Sequence, residues 1–244
     1  MRKLKTIKSE KSLLNWEQNR NGVPLWENVN ETELGDLTKR VYKCFFIYFL
    51  RLSKTKNYIS FTDEWVKGCS KAVKSITSYL KTAYNLSEEN AQRIAHKFRG
   101  NVAEIVAEYI FTELDTHIDR STYKPVDPEN ERFLDATAKA KDGIQMFIQV
   151  KNYSGEVDKE PFLKLAMEER IYEINNKKKL TEFNSRKRSL LLTFTDKKYT
   201  PFEKDYAKVV ETIGPSEIDK LLKDQETRID MFSVILKNIG VKID

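Results

Sequence analysis

Three polar residues near the middle of the chain, Asp135, Gln149 and Lys151, have the types and spacing that phosphodiester chemistry requires. A divalent metal assists such hydrolysis by polarising the phosphate and lowering the pKa of a bound water. Magnesium prefers hard oxygen ligands, which the Asp135 carboxylate, the Gln149 amide and the Val150 backbone carbonyl could supply. Lys151 would orient the water or stabilise charge on the phosphate oxygens. Spacing alone leaves open an amphipathic strand with a polar face and no chemistry.

The elements that must position these residues are the two strands of a predicted β-hairpin. Apolar and polar side chains alternate with a period of two on both strands, as they do on a half-buried sheet. The first strand has the apolar set Leu134, Ala136, Ala138 and Ala140, and the second has Met146, Ile148 and Val150.

The turn of the hairpin, Lys141-Asp142-Gly143, determines which residues face each other. A two-residue Asp-Gly turn would place Ala136 opposite Gln149 and set an apolar face against a polar one. A three-residue loop with Gly143 in the left-handed conformation places Asp135 opposite Gln149 and Ala140 opposite Ile144. Because the hydrophobic pattern sets the register, we predict the three-residue loop, with Asp135, Gln149 and Lys151 on one face.

The segment FLDATAKAKDGIQMFIQVKNYSG resembles the core of the PD-(D/E)XK nuclease superfamily, in the D…QxK form of the Mrr-like restriction endonucleases. In that family an Asp begins a hairpin, Gln or Glu follows on the next strand, and Lys comes two residues later. Asp135, Gln149 and Lys151 match these positions, whereas Leu134 replaces the family's frequent Pro. The resemblance covers about residues 98–196. It implies a restriction-endonuclease-like core, a central mixed β-sheet flanked by helices, with Mg²⁺ or Mn²⁺ as cofactor.

The same family places a metal-binding glutamate on a preceding helix, often after a glycine, and Gly100-Asn101-Val102-Ala103-Glu104 fits that pattern. Glu104 and Glu108 lie one helical turn apart, at the flank of an apolar stripe. The resemblance favours a metal-binding or metal-supporting role for Glu104. For Glu108 we predict a solvated position.

The remaining patterns predict an α/β layer architecture in three regions. Residues 1–97 form a helical accessory region for DNA or partner recognition, with helices at Leu34–Leu52 and Asp63–Tyr84 and a cap at Ser87. Residues 98–200 form the nuclease core, with a first strand within 116–126, a helix at 159–178 and a buried strand at 190–194. Residues 201–244 form a C-terminal helical extension, with helix starts at Pro201 and Ser216.

Composition favours a soluble cytoplasmic protein. The 244 residues are 40% hydrophobic and 33% charged, and no signal peptide is evident. The most apolar run, VYKCFFIYFLRL, is too short for a membrane span and is predicted to be a core helix. Cys44 and Cys69 lack metal-ligand spacing and indicate a reducing compartment. The two histidines, His96 and His117, are predicted to lie at the surface or at caps, which argues against a histidine-based site.

The formal net charge of +6 favours nucleic-acid binding through phosphate contacts. Two basic clusters flank the last predicted core strand and could line a DNA groove, although a solvated basic surface would look the same. They are Lys177, Lys178, Lys179, Arg186, Lys187 and Arg188.

Together these patterns predict a magnesium-dependent DNA endonuclease, most consistent with restriction or anti-phage defence. A repair, junction-resolving or transposon-associated nuclease would share the same core. From a different class, a non-cleaving nucleic-acid-binding subunit of a larger complex stays open. Cutting both strands with one site per chain would require a homodimer or a partner subunit.

Overall fold

The structure, a computed structural model, describes residues 4, 31–55, 60–61, 63–115, 117–126, 134–152, 159–175, 189–194 and 210–243. Within these residues the chain is a mixed α/β protein with one five-stranded sheet and six α-helices. The helices are α1 (Glu31–Thr55), α2 (Asp63–Tyr84), α3 (Glu88–Tyr109), α4 (Glu160–Asn175), α5 (Pro215–Leu221) and α6 (Gln225–Asn238). The strands are β1 (Ile118–Pro125), β2 (Ala136–Ala140), β3 (Gln145–Lys151), β4 (Ser189–Thr193) and β5 (Val210–Ile213).

The sheet has the strand order β1-β2-β3-β4-β5. The first three strands are antiparallel neighbours, and β4 and β5 continue the sheet in parallel with β3. The hairpin strand β3 is therefore the central strand, and it joins the antiparallel half of the sheet to the parallel half.

The two faces of the sheet are covered differently. Ile148 and Val150 of β3 belong to a large core built with helices α1, α2, α3 and α6. Phe147 points to the other face, where it packs in a smaller core with Phe162 and Leu165 of α4 and Leu191 of β4. Because the side chains of a strand alternate between faces, Gln149 and Lys151 also belong to the α4 side.

Helix α1 forms part of the large core, as the apolar run in its sequence predicts. Its side chains Phe45, Phe46 and Phe49 are fully buried. The indole ring of Trp65 on α2 stacks on Phe49 at 4.5 Å and on Phe194, directly after β4, at 4.9 Å between ring centroids. Through this aromatic stack the N-terminal helices pack against the end of the sheet. No helix among the described residues is long and apolar enough to cross a membrane.

The C-terminal region differs from its predicted all-helical form, because β5 adds a strand at Val210–Ile213. Helix α5 also begins one residue earlier than the expected start at Ser216. Gly214 is its N-cap and Pro215 its first residue, and the Glu217 carboxylate accepts a hydrogen bond from the Gly214 N–H at 3.1 Å. Proline suits this position because the first N–H of a helix has no partner within the helix. The predicted start at Pro201 lies outside the described residues.

Candidate active site

The hairpin has the register and the turn that the hydrophobic pattern predicts. Ala136 pairs with Ile148, so the predicted register holds from Ala136 onwards. Leu134 was predicted to share the apolar face of Ala136, but it packs in the smaller core with Phe147, so the alternation of side chains breaks at Asp135. The Ala140 N–H donates to the Ile144 carbonyl at 2.8 Å, so three residues form the loop. Gly143 has a φ of +83°, in the left-handed region that glycine adopts without strain.

Asp135 lies at the point where the β2–β3 pairing ends. Its Oδ2 accepts a hydrogen bond from the Val150 backbone N–H at 2.6 Å, and its own N–H donates to the Ile148 carbonyl at 3.0 Å. The N–H and C=O of one strand residue point to the same neighbouring strand. The Val150 carbonyl therefore points, like the Val150 N–H, towards the end of β2 where Asp135 lies. The Lys151 carbonyl points towards β4 and accepts a hydrogen bond from the Phe194 N–H at 3.1 Å.

Gln149 has a buried amide oxygen on the central strand β3. Its side chain is only 3% exposed, and its Oε1 has no hydrogen-bond partner among the residues that the structure describes. A buried acceptor without a donor destabilises a fold by about 1–3 kcal/mol, so such an atom calls for a partner such as an ordered water or a bound ion. A cation held by the neighbouring Asp135 would satisfy this oxygen.

Lys151 ends β3 and is half-buried. Its positive charge is one cause of the lowered pKa of Glu160, after the hydrogen bond and the charge of Lys164. Glu160 pairs with Lys164 at 2.5 Å in the first turn of α4. Glu160 is thus a carboxylate near the predicted site that sequence reasoning missed. The only signal was its place at the start of the helix that follows the hairpin.

Glu104 belongs to a helix on the opposite side of the sheet from Gln149. Its helix α3 packs on the Ile148 and Val150 face, whereas the Gln149 side chain belongs to the α4 face. Glu104 is 8% exposed, and its charge contributes to the raised pKa of the Tyr42 phenol, for which burial is the main cause. Glu104 and Gln149 could therefore share a metal only at the strand end to which the Val150 carbonyl points.

The prediction that Glu108 is solvated is wrong, because its side chain is only 2% exposed. Asn101, Glu104 and Glu108 recur at three- and four-residue intervals and are all buried, so they form a polar stripe along one side of α3. The apolar stripe in the sequence indicated a helix with one buried side. The N-terminal helices and α6 instead cover this helix from several directions.

Asn152, the residue after Lys151, fixes the end of β3 to the helical region. Its Oδ1 accepts from the Trp65 indole N–H at 3.3 Å, and its Nδ2 donates to the Arg99 carbonyl at 3.0 Å. The same Nδ2 lies 3.8 Å from the Cys69 sulfur. Strand β3 is thereby fixed between α2 and α3 one residue beyond the predicted catalytic lysine.

The predicted ligand set is one of mixed oxygen donors. In the part of the chain that the structure describes, no three His, Cys, Asp or Glu side chains form a group that could hold a metal ion. His96 and His117 are both exposed, as predicted. The predicted DNA-binding residues all lie outside the described residues; they are Lys177, Lys178, Lys179, Arg186, Lys187 and Arg188.

Comparison with known proteins adds no family to this geometry. A scan against protein-family models and searches of curated proteins and of solved structures all returned no match.

Proposed function

We propose that this chain is a magnesium-dependent DNA endonuclease whose catalytic centre is the β2–β3 hairpin of a restriction-endonuclease-like core. One observation carries the proposal: the Asp135 carboxylate, the Gln149 amide oxygen and the Val150 carbonyl belong to one strand end, and the Gln149 Oε1 is buried without a described donor. Lys151 follows these oxygen donors directly on β3. The resemblance to the D…QxK nucleases supports the same assignment from the sequence.

The residues present fit a hard divalent cation. Magnesium is usually bound by one or two carboxylates, with waters and substrate oxygens completing its shell. Asp135 would supply the carboxylate, with Gln149 and the Val150 carbonyl as neutral oxygen donors and Glu104 as a supporting carboxylate. When bound, the metal would polarise the phosphate and lower the pKa of a water. Manganese accepts the same kinds of donor and is expected to substitute for magnesium.

The chain's own groups divide the remaining tasks. The Val150 N–H donates to Oδ2 of Asp135 at 2.6 Å, which holds the carboxylate in one orientation at the end of the hairpin. Lys151 supplies a fixed positive charge where negative charge develops on the transferred phosphate, and it can also hold the attacking water. Asn152 fixes the end of β3 to two helices, which holds the backbone of Lys151 in place relative to Asp135.

DNA is the substrate that the charge of the chain favours. The net charge of +6 favours phosphate binding, and the predicted basic clusters at Lys177–Lys179 and Arg186–Arg188 would extend it. The resemblance to Mrr-like enzymes suggests restriction or anti-phage defence as the setting. Cutting both strands would then require a second site, supplied by another copy of the chain or by a partner.

The proposal is tested by incubating the purified protein with supercoiled plasmid DNA. We expect nicked or linear products with Mg²⁺ and none with EDTA. Asp135→Asn is the sharpest variant, because the amide oxygen can still accept from the Val150 N–H while the negative charge is lost. Cleavage by Asp135→Asn at the wild-type rate would refute the site. DNA binding without cleavage under any divalent metal would instead favour the non-cleaving subunit, and preference for four-way junctions would favour a resolving enzyme.

A further inference from the structure

A cleft of about 490 Å³ lies between α2 and α3, and no hairpin residue lines it. Its size falls within the range of small-molecule sites in proteins. Groups from α2 that recur every three or four residues line one wall, and groups from α3 line the other, so one side of each helix forms the cleft. The polar groups that matter for binding are Ser70, Lys74, Thr77, Ser78, His96 and Arg99.

Arg99 is the buried cation of this cleft. Its side chain is only 4% exposed, and its Nε and Nη2 have no hydrogen-bond partner among the described residues. The hydroxyl of Thr77, on the facing helix, is also buried and lacks a partner in the same part of the chain. A guanidinium is always charged, and leaving it buried without a counter-ion is strongly unfavourable. The donors therefore indicate an anion that the described residues do not provide.

The neighbouring acidic groups do not serve as that counter-ion. Cys69 lies close to Arg99, but burial raises the pKa of its thiol to about 12, so it stays neutral at pH 7. Glu88 lines the cleft, yet its carboxylate pairs with Lys81 and accepts from the Gln92 amide at 2.9 Å. Lys74 and Arg99 therefore outnumber the single carboxylate, whose charge Lys81 already offsets.

We propose that this cleft binds a small phosphorylated ligand, with its phosphate group held by Arg99, Thr77 and Lys74. A guanidinium offers paired N–H donors that match phosphate oxygens, and hydroxyl and lysine donors complete such sites. The depth of the buried Arg99 favours a phosphate monoester such as a nucleoside monophosphate over the backbone of a long polyanion. The inference is independent of the nuclease proposal, because none of its residues belongs to the hairpin.

His96 provides a direct probe of binding. His96 is exposed overall, but partial desolvation of its ring, and then the charge of Arg99, lower its pKa. A phosphate dianion beside Arg99 would offset the arginine charge and stabilise the protonated form of His96. Lys74 and Glu88 also line this cleft, and their charges act on His96 with opposite signs. The chain has only two histidines, and His117 does not line the cleft, so it serves as an internal control.

The test is an NMR titration of the two histidine ring protons in the full chain, first with inorganic phosphate and then with a nucleoside monophosphate. We expect saturable shifts of His96 and a raised His96 pKa, with His117 unchanged. Arg99→Met should abolish both effects and preserve folding, because it removes an unpaired buried charge. Tighter binding of the nucleotide than of phosphate would support a phosphate monoester as the ligand. Equal affinities would support the phosphate site at Arg99 but would overturn the preference for a monoester.

Two milder variants test the same site if Arg99→Met does not fold. Thr77→Val keeps the side-chain shape but removes the hydroxyl, and Lys74→Ala removes the exposed cation; each should weaken phosphate binding several-fold. Lys71→Ala, on the same helix but outside the cleft, should leave affinity unchanged. The proposal is overturned if neither probe binds saturably, if binding occurs only with duplex DNA, or if Thr77→Val and Lys74→Ala both bind like the wild type.

Discussion

Replacing Asn152 by alanine should destabilise the protein, because this side chain ties the end of β3 to two helices. The change removes the acceptor of the Trp65 indole N–H and the donor to the Arg99 carbonyl. Trp65 is only 1% exposed, so the substitution should leave its N–H buried without an acceptor.

The expected loss follows from these two bonds. A buried donor left without an acceptor costs about 1–3 kcal/mol, and the second bond contributes about 1 kcal/mol because the Arg99 carbonyl can keep its helical partner. The free energy of unfolding should therefore fall by about 2–4 kcal/mol. For a chain of this length, that corresponds to a Tm decrease on the order of 10 °C.

Urea denaturation followed by circular dichroism measures this change, and a double-mutant cycle assigns it to the indole bond. Trp65→Phe removes the donor, so adding Asn152→Ala to Trp65→Phe should cost at least about 1 kcal/mol less than adding it to the wild type. The proposed role of Asn152 in holding the end of β3 would be refuted if Asn152→Ala lowered the free energy of unfolding by less than about 0.5 kcal/mol, or if the effects in the cycle were fully additive.

Further predictions concern single side chains. Gln149→Leu should maintain or raise the Tm in EDTA, since it removes a buried unpaired oxygen. The same variant should show a smaller Tm increase on addition of Mg²⁺ than the wild type. An equal Tm increase in both proteins would argue against Gln149 as a metal ligand. Gly143→Ala should cost about 1–2 kcal/mol because of its positive φ, whereas Gly100→Ala in α3 should gain about 0.5–1 kcal/mol, since an added Cβ meets nothing within 4 Å. The folded-state pKa of His96 lies below 6.5, so the His96 imidazole binds a proton more readily in the unfolded chain. The free energy of unfolding should therefore fall as the pH drops through 6.5. His96→Gln should lessen that fall, as measured by urea titrations at pH 7.5 and 5.5.

The hairpin was predictable because local rules determine it. Alternating side chains and a glycine suited to a left-handed turn restrict the register to one choice, and the structure has that register. The order of helices and strands from α1 to β4 could be predicted for the same reason, since periodicity and caps are local. Ser87 caps α3, as expected, by accepting from the Asn90 N–H at 3.2 Å.

Features that depend on distant packing could not be predicted. Strand β5 has only four residues, and its sequence Val-Glu-Thr-Ile becomes a strand because β4 offers a parallel edge. Glu108 is buried because several helices surround α3. The cleft around Arg99 exists only once α2 and α3 lie side by side, and one arginine among many charged residues gave no signal of it.

The central claim is tested most directly by comparing plasmid cleavage with Mg²⁺ for Lys151→Ala and Lys139→Ala. Both lysines belong to the hairpin, but Lys139 is exposed on β2 and has no role in the proposed chemistry. We expect Lys151→Ala to lower the cleavage rate by about 100-fold or more, as loss of one group that stabilises transition-state charge typically does, with folding and DNA binding maintained. Lys139→Ala should cleave like the wild type. Equal cleavage by both variants and the wild type would contradict the assignment of the hairpin as the catalytic centre.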